Sequence, residues 1–332
     1  MKMKILVTGG AGFIGSNFVR YMLKEHPDYK IVVLDKLTYA GRKENLADVW
    51  DRIVFLKGDI TVREDVAEAA RDCDCVVNFA AETHVDRSIL MAGTFVLTDV
   101  LGVYNLLEIA RESNMSKFVQ ISTDEVYGHI LKGSFKETDR LNPRNPYSAS
   151  KAGAELLCRA YFETYGLQTI ITRSSNNYGP YQHPEKLIPK TIINALLNKP
   201  IPVYGTGKNV RDWLYVEDNC EAIDIILHKG RSGEIYNIGA NQELENIQVV
   251  KTILKLTDKP QSLMKFVEDR RGHDLRYSLR TEKTQELGWR PSTEFSVGIE
   301  KTINWYRQNV EWWKTIVETE QIDFHKEPSK PN

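Results

Sequence analysis

The sequence predicts an α/β protein, a doubly wound parallel sheet with a smaller, loop-rich α/β lobe attached. Two observations predict this fold class. Strand-like and helical patterns alternate through the first half of the chain, which is typical of βαβ units. The strand patterns are also almost continuously apolar, as in Ile31–Leu34. Such runs indicate strands that are buried on both faces of a sheet.

The first half of the chain contains six strand patterns and four long helical patterns. We predict strands at Ile5–Thr8, Ile31–Asp35, Ile53–Lys57, Cys75–Ala80, Phe118–Ser122 and Gln168–Arg173. We predict helices at Phe13–Glu25, Val62–Arg71, Ser88–Ser113 and Tyr147–Tyr165. The third helix is long, and Gly93 marks a place where it can break.

The pattern changes near residue 176, where turn-rich segments such as Tyr178–Tyr181 and Tyr204–Gly207 separate further helices. A buried-strand pattern at Glu234–Ile238 returns the chain to the first sheet. We therefore predict two interleaved domains, residues 1–175 with about 214–242, and about 176–213 with 243–332. The three further helices are expected at Ile188–Leu197, Val216–His228 and Ile247–Thr257.

Composition argues against several classes of function. The formal net charge of −1 gives no general attraction for nucleic acid or anionic membranes. We expect no membrane-spanning segment, which needs ~20 apolar residues, and no secretory leader, because a strand and glycine loop begin at Lys4. The cysteines and histidines lack metal-ligand spacing. We therefore expect a cytoplasmic protein without a metal.

A glycine loop joins the first strand to the first helix. Gly9, Gly12 and Gly15 are spaced so that the backbone can turn tightly, approach a pyrophosphate and pack closely against the strand. The helix N-terminus adds unpaired N–H groups and its positive dipole end. This order of strand, loop and helix predicts a Rossmann-type dinucleotide site.

Acidic residues after the second and third strands bear on which dinucleotide binds. Asp35 ends the second strand, and a carboxylate there binds the ribose hydroxyls and repels a 2′-phosphate. NAD is therefore predicted over NADP, although Lys36 follows directly. Asp59 follows the third strand and either meets the adenine or caps a helix from Ile60 onward. Both interpretations of Asp59 stay open.

Tyr147 and Lys151 lie four residues apart, so a helix places them on one face. An unperturbed tyrosine has a pKa near ~10. A neighbouring ammonium stabilises the phenolate, and the positive charge of nicotinamide adds to that effect. A phenolate can take a proton from an alcohol while hydride leaves for NAD⁺. The pair therefore predicts a proton acceptor beside the dinucleotide.

Asp124 and Glu125 are adjacent carboxyls directly after the strand pattern Phe118–Ser122. Both can face one ligand only where the backbone is irregular, as in a loop at the carboxyl end of a strand. The alternative is a solvated acidic turn. Because simple hydride transfer needs no such pair, we predict a redox enzyme that also moves protons and expels a leaving group.

These motifs resemble the extended short-chain dehydrogenase/reductase family over almost the whole chain, most specifically its dTDP-glucose 4,6-dehydratases. Epimerases of the family typically carry small or hydroxyl residues in place of Asp124 and Glu125, so the carboxyl pair favours the dehydratases. The segments that carry the resemblance are Val7–Ser16, Leu34–Gly41, Ala80–Ser88, Ser122–Gly128 and Ser175–Gln182.

The resemblance implies a reaction and a role for each catalytic residue. Tyr147, next to Lys151, takes a proton as NAD⁺ oxidises C4 of the hexose, and Thr123 bonds the C4 oxygen. Glu125 then removes the C5 proton, and protonated Asp124 donates to the departing C6 hydroxyl. Water leaves, and hydride then returns to C6 while C5 is reprotonated, which yields a 4-keto-6-deoxy sugar and regenerates NAD.

The resemblance also implies ligand contacts, with NAD in the first domain and a nucleotide sugar, dTDP-glucose, in the second. It further implies a homodimer through the helices Ser88–Ser113 and Tyr147–Tyr165. The implied NAD contacts are Gly9, Gly12, Phe13, Ile14, Gly15, Asp35, Lys36, Thr38, Asp59, Ile60, Ala80, Ala81, Thr98, Tyr147, Lys151 and Asn177. The implied substrate contacts are Thr83, Thr123, Asn176, Lys186, Leu187, Pro202, Val203, Tyr204, Arg211, Asn246, Arg270 and His273.

Three alternatives remain at this point. The first is the same 4,6-dehydratase chemistry on a UDP-sugar, because Pro202–Tyr204 does not decide the nucleobase and the family pattern departs at Arg271, Ser278 and Arg280. The second is a sugar-nucleotide 4-epimerase, which the carboxyl pair opposes. The third is an NAD-binding scaffold without activity, which has no use for the tyrosine, lysine and paired carboxyls.

Overall fold

A computed structural model describes residues 2–269, 273–320 and 322. The strands are β1 Lys4–Thr8, β2 Lys30–Asp35, β3 Ile53–Lys57, β4 Cys75–Asn78, β5 Lys117–Thr123, β6 Thr169–Ser174, β7 Asn176–Tyr178, β8 Ile201–Tyr204, β9 Val210–Tyr215, β10 Ile235–Ile238, β11 Glu243–Glu245 and β12 Met264–Val267. The α-helices are α1 Phe13–Glu25, α2 Arg63–Ala69, α3 Val85–Leu90, α4 Ala92–Phe95, α5 Val103–Glu112, α6 Pro146–Tyr165, α7 Leu187–Leu196, α8 Val216–Lys229, α9 Asn246–Leu256, α10 Glu282–Glu286, α11 Phe295–Gln308 and α12 Val310–Thr319.

Seven strands form one parallel sheet in the order β10-β6-β5-β4-β1-β2-β3. The chain runs outward from β1 through β2 to β3, and then continues on the other side of β1 through β4, β5 and β6. The strand order therefore reverses between β1 and β4, where the carboxyl ends of the strands leave a crevice that can hold a ligand. The predicted doubly wound sheet is confirmed.

Alternating strand residues supply the two hydrophobic layers of the first sheet. Ile5 and Val7 pack in the layer that contains α1 and α8, whereas Leu6 packs on the opposite side. The second layer contains residues of α2, α5 and α6, among them Leu107 and Cys158. Because neighbouring strand residues point to opposite faces, an uninterrupted apolar strand is buried by helices on both sides.

The chain returns to the first sheet after it has entered the second lobe. β10 pairs in parallel with β6, with Ile235 opposite Ile171, and α8 packs against α1. β7, which begins at Asn176, instead pairs with β9 in a separate sheet. These connections agree with the interleaved order that the sequence predicts, while the exact domain boundaries stay a prediction.

The predicted long helix Ser88–Ser113 is interrupted and irregular. It breaks at Met91, where φ is −136° and ψ is 49°, two residues before the expected Gly93. Beyond that break a continuous run extends to Glu112 and includes a π-helical segment, Val96–Gly102. The sequence pattern indicated neither the position of the break nor the π-helical winding.

The expectation that no segment has the length and apolar character of a membrane span was wrong. The run Ala92–Glu112 has 21 residues and contains an 18-residue window with a mean hydropathy of 1.3. About 44% of this window is buried inside the protein, and the α5 portion of the run packs against α2 and α6. Because core helices of soluble proteins commonly have this character, the run is weak evidence for a membrane span.

The second lobe is built around an aromatic cluster. Its core includes Tyr178, Trp213, Tyr215, Phe295 and Tyr306, packed with apolar residues of α7, α9 and α11. Two small sheets, ordered β11-β9-β7 and β12-β8, lie in this lobe. The sequence patterns predicted α7 and α9 to within one residue, but they indicated none of these short strands.

Candidate functional site

A cleft opens at the carboxyl ends of β1, β4 and β5, at the point where the strand order reverses. Every residue that the sequence predicted as catalytic or NAD-binding lines this cleft. Of the predicted substrate contacts, Thr83, Thr123, Asn176 and Lys186 line it as well. Arg270 lies outside the described residues. The predicted substrate contacts that do not line the cleft are Leu187, Pro202, Val203, Tyr204, Arg211, Asn246 and His273.

The glycine loop has no space for side chains at two of its positions. Gly9 has a φ of +67°, and a Cβ on it would lie 2.5 Å from the backbone nitrogen of Ala80. A Cβ on Gly15 would collide with the Gly9 carbonyl oxygen. Gly12 is the N-cap of α1 and offers no side-chain acceptor to the first N–H groups. The loop therefore presents bare backbone and a helix N-terminus to the cleft, as a pyrophosphate site requires.

Asp35 connects the end of β2 to the glycine loop. Its Oδ2 accepts a hydrogen bond from the Ala11 N–H at 2.9 Å, and its Oδ1 accepts one from the Leu37 N–H at 2.8 Å. Each carboxylate oxygen keeps a second lone pair for a ligand. Asp35 thus shapes the loop and also lines the cleft, where a ribose hydroxyl can reach it.

Lys36 and Asp59 form an ion pair on the cleft wall, with Nζ and Oδ2 2.6 Å apart. The Oδ1 of Asp59 accepts a hydrogen bond from the Thr61 N–H at 2.9 Å. The next helix, α2, begins only at Arg63 and has Val62 as its N-cap. The helix-cap interpretation of Asp59 was therefore wrong, and the interpretation that it meets the adenine stays a prediction.

Asn145 fixes the start of the helix that carries the predicted proton acceptor. Its Oδ1 accepts a hydrogen bond from the Ser148 N–H at 2.8 Å, and Pro146 occupies the first turn of α6. This cap places Tyr147 in the first turn of α6 and Lys151 one turn later. The Nδ2 of Asn145 also donates to Glu125 Oε2 at 3.3 Å, so one cap residue orders both parts of the site.

The protein groups around Tyr147 favour its neutral phenol. Burial raises the pKa of Tyr147 well above its usual value, the carboxyls of Glu125 and Asp99 raise it further, and a hydrogen bond with Thr123 opposes them. The sequence led us to expect that Lys151 lowers the pKa of Tyr147. Among the protein groups, those that raise this pKa prevail, so the expectation is not met without the cofactor. The positive charge of the oxidised nicotinamide is the remaining source of stabilisation for a phenolate.

Lys151 has a buried counter-charge that the sequence did not single out. Burial lowers the pKa of Lys151, and the carboxylates of Asp99 and Glu155 raise it. Asp99 is 1% exposed. Its Oδ2 accepts a hydrogen bond from Ser150 Oγ at 2.7 Å, and its Oδ1 accepts one from the Glu82 N–H at 3.0 Å. Asp99 therefore links the π-helical segment to α6 and stabilises the positive charge of Lys151.

The adjacent carboxyls differ in their surroundings. Burial raises the pKa of Asp124 well above its usual value, the neighbouring Glu125 raises it further, and Arg211 opposes the rise. Burial also raises the pKa of Glu125, against the opposing effects of Arg211 and Asn145. Two carboxyls that titrate differently are suited to act as an acid and a base. The two carboxyls differ in the groups around them, because Glu125 raises the pKa of Asp124 whereas Asn145 lowers that of Glu125.

Several buried polar atoms on the cleft wall have no hydrogen-bond partner among the described residues. Buried polar groups are nearly always paired, so these atoms indicate a site that a polar ligand completes. They include Ser122 Oγ, Asp124 Oδ2, Asn176 Oδ1, Asn177 Oδ1 and Gln182 Oε1.

Tyr39 and Glu185, which the sequence did not single out, also line the cleft. Tyr39 lies under the Arg87 guanidinium, whose carbon is 3.7 Å from the ring centre. Glu185 Oε2 lies 3.4 Å from His84 Nε2. Lys186 Nζ donates to the Thr83 carbonyl at 3.0 Å, which joins the two lobes. Tyr39 lies in Leu34–Gly41, one of the segments that carry the family resemblance. For Glu185, the only indication in the sequence was that the next residue, Lys186, was predicted to contact the substrate.

Comparison with known proteins decides the family. A sequence profile described as GDP-mannose 4,6 dehydratase matches residues 6–302. The chain belongs to this family. The low-salt glycan biosynthesis protein Agl12 of Haloferax volcanii is 54% identical over 306 residues, which are 92% of this chain and 98% of Agl12. The dTDP-glucose 4,6-dehydratase of Streptomyces niveus is 47% identical and covers 95% of this chain, with 96% of its own length matched.

Solved structures show the same relationship. DesIV, a dTDP-glucose 4,6-dehydratase from Streptomyces venezuelae with NAD and TYD bound, superimposes with a TM-score of 0.92 at 48% identity, covering 95% of this chain and 100% of DesIV. The UDP-glucose 4-epimerase of Thermus thermophilus, in complex with NAD, has a TM-score of 0.87 at 32% identity, covering 92% of this chain and 100% of the epimerase. Fold similarity thus includes both enzyme classes, while sequence identity favours the dehydratases. The predicted resemblance is confirmed.

Proposed function

We propose that the protein is an NAD-dependent dTDP-glucose 4,6-dehydratase, which converts dTDP-glucose to dTDP-4-keto-6-deoxyglucose and water. The observation that carries this proposal is the pair of adjacent carboxyls, the buried Asp124 and the partly buried Glu125, both with a raised pKa, in the same cleft as Tyr147. A 4-epimerase performs no elimination and needs neither carboxyl. The identity to proteins named dTDP-glucose 4,6-dehydratase supports the same reaction.

The cleft fits NAD through its bare glycine loop, the carboxylate of Asp35 and the unpaired buried polar atoms of Asn177 and its neighbours. Bound NAD supplies the acceptor and later the donor of a hydride. Gly9, Gly12 and Gly15 would meet its pyrophosphate, and Asp35 its adenosine ribose.

The first chemical task of the protein is to take the proton of the C4 hydroxyl. Tyr147 is the acceptor, and its hydrogen bond with Thr123 supports a shared role of the two side chains at the C4 oxygen. Lys151 keeps a positive charge on the same face of α6, with Asp99 as its counter-charge. Its ammonium favours the anionic form of a substrate oxygen during this step.

The second task is the loss of water across C5 and C6. We assign Asp124 as the protonated carboxyl that donates to the departing C6 hydroxyl, and the rise of its pKa through burial and the neighbouring Glu125 supports this role. Glu125 removes the C5 proton, which the C4 ketone makes acidic. Burial raises its pKa and strengthens it as a base, and Asn145 orients one of its oxygens.

The nucleotide end of the substrate is assigned to the second lobe. Arg211 opposes the raised pKa of both carboxyls, so its guanidinium lies within electrostatic reach of the catalytic pair although it does not line the cleft. Its Nη2 donates to the Asp274 carbonyl at 3.0 Å. We place the diphosphate near Arg211 and Lys186, and the base near Pro202–Tyr204. The same chemistry on a UDP-sugar is the alternative at this lobe.

We propose that two copies associate through the helical run Ala92–Glu112 and α6. This surface is apolar on the outside of the protein: Val96 and Leu97 are each 54% exposed and Leu156 is 61% exposed. Contiguous exposed apolar side chains of this kind mark interaction surfaces. We also place the protein in the cytoplasm, because its four cysteines are free and buried and thiols persist in a reducing compartment.

The reaction can be tested with dTDP-glucose in deuterated water. We expect a 4-keto-6-deoxy product that carries solvent deuterium at C5. The absence of both product and exchange would contradict the enzymatic assignment. Product from UDP-glucose alone would instead favour the UDP-sugar alternative, and a change of configuration at C4 without loss of water would favour an epimerase.

A further inference from the structure

His26, Asp224 and His228 form a compact cluster that the proposed reaction does not use. His26 directly follows α1, and the other two residues lie one turn apart on α8. His26 Nε2 lies 2.9 Å from Asp224 Oδ1 and 3.0 Å from Oδ2. His228 Nδ1 lies 2.9 Å from Asp224 Oδ1. None of the three lines the cleft.

We propose that this cluster binds a divalent transition-metal ion such as Zn²⁺. The ligands are His26 Nε2, a carboxylate oxygen of Asp224 and His228 Nδ1. The ion would join the C-terminal end of α1 to α8 and act on stability rather than on the reaction in the cleft.

The donor atoms have the chemistry and the convergence that such an ion needs. Imidazole nitrogen and carboxylate oxygen are ordinary zinc ligands, and ligands at ~2.0–2.2 Å in a tetrahedron lie about 3.4 Å from each other. One donor atom from each residue lies within 4.8 Å of the others, so side-chain rotations suffice. The His26 and His228 side chains are 26% and 28% exposed, which leaves a route for the ion and a position for water.

A neighbouring tyrosine is placed to orient the histidine ligands. The Tyr29 hydroxyl lies 2.9 Å from His228 Nε2, so this nitrogen can donate its hydrogen to Tyr29 when Nδ1 holds the ion. The Tyr29 ring also stacks on His26, with centroids 4.6 Å apart and planes inclined by 12°. Metal-bound histidines commonly have such a partner on the second ring nitrogen.

Protons compete with the ion for these ligands. The hydrogen bond to Asp224 raises the pKa of His228, while the two histidines hold the pKa of Asp224 below its usual value against burial. Metal binding must displace the histidine protons and therefore weakens as the pH falls. The other titratable groups around the cluster are Tyr21, Glu25, Tyr29, Lys117 and Glu221.

The test uses untagged, chelator-treated full-length protein and Co²⁺, whose visible absorption reports its ligands. We expect one Co²⁺ per chain, which Zn²⁺ displaces, and binding weakened at least tenfold in both His26→Gln and His228→Gln. A saturating metal should raise the melting temperature of the wild type by about 5 °C, and of neither variant. Melting temperatures in chelator will show that both variants fold.

His129→Gln is the matched control. His129 Nδ1 also lies near a carboxylate, 3.3 Å from Asp274 Oδ1, but it belongs to no group of three ligands among the described residues. We expect this variant to bind Co²⁺ as the wild type does. Equal binding by wild type, His26→Gln and His228→Gln, or no Co²⁺ spectrum with the wild type at neutral pH, would overturn the proposal. Neither result would bear on dTDP-glucose turnover, which is measured separately.

Discussion

The guanidinium of Arg173 and the carboxylate of Glu155 form an ion pair that is almost completely shielded from water. Arg173 Nη2 lies 2.5 Å from Glu155 Oε2, and the two side chains are 3% and 2% exposed. Arg173 stands on β6 and Glu155 on α6. The pair thus fastens the helix that carries Tyr147 and Lys151 to the sheet beneath it.

Glu155→Gln should lower the free energy of unfolding by about 3–5 kcal/mol, because it leaves the Arg173 charge buried without its partner. Urea denaturation measures the loss. The control is Glu163→Gln, which changes the exposed Arg159–Glu163 pair on the same helix and should cost less than ~1 kcal/mol. Equal losses in the two variants would show that the buried pair contributes no more than a surface pair.

Glu125→Gln should separate the two halves of the reaction. The variant retains Tyr147 and should still oxidise C4, but it lacks the base for C5 and should lower kcat by ~10²–10⁴-fold. The absorbance of bound NADH and the entry of deuterium at C5 follow the two steps. We expect NADH to accumulate without exchange. Turnover at the wild-type rate would show that another group removes the C5 proton.

Arg211→Gln should move the acid limb of the kcat–pH profile to higher pH. The arginine lowers the pKa of Glu125, so its removal raises that pKa, and the base becomes protonated at a higher pH as acid is added. Arg211→Lys keeps the charge and should move the limb less. An unchanged limb in Arg211→Gln would mean that the guanidinium does not act on Glu125 in the substrate complex.

Asp124→Asn should stabilise the folded protein at neutral pH while it lowers kcat. Burial raises the folded-state pKa of Asp124 above its unfolded value of ~3.9. The wild type therefore loses stability as the pH rises from the unfolded pKa to the folded pKa. The side chain in Asp124→Asn does not ionise, so the variant does not lose this stability. The unfolding free energies of variant and wild type should converge near pH ~3 and diverge above it. The exposed Asp51→Asn serves as control and should track the wild type throughout.

Asp99→Asn should shift the alkaline limb of C4 oxidation to lower pH. Burial already lowers the pKa of Lys151, and Asp99 opposes that effect. Removal of the carboxylate therefore lets the lysine lose its proton at a lower pH. Single-turnover NADH formation in the Glu125→Gln background measures this limb. Ser150→Ala removes the hydrogen bond to Asp99 but keeps its charge, and should leave the limb in place.

Local patterns in the sequence were sufficient for the first sheet and its ligand loop. Each of its first six strands lies within two residues of the prediction, because a strand buried on both faces leaves a continuous apolar run. The glycine loop and the carboxyl pair are likewise contiguous in sequence. Their chemistry could therefore be inferred before any contact between distant residues was known.

Features that depend on distant contacts or on unusual backbone could not be predicted. His26 and Asp224 are 198 residues apart, so ligand spacing gives no sign of their cluster. Asp99 looks like one polar residue in a helical pattern, and only the π-helical winding and Ser150 reveal its position. The strands of the second lobe are three to six residues long, which is too short for a reliable periodicity.

The π-helical segment Val96–Gly102 changes the direction in which successive side chains point within one continuous helical run. Its wider winding lets Thr98 line the cleft and Asp99 reach Ser150, while Leu97, 54% exposed, and Leu101, 40% exposed, point to the outside. If the winding stayed π-helical, a deletion of one residue here would rotate the two ends against each other by about a quarter turn. The shortened run could keep Asp99 beside Ser150 or the packing of α5, but not both. The length of this segment is therefore constrained more tightly than its composition.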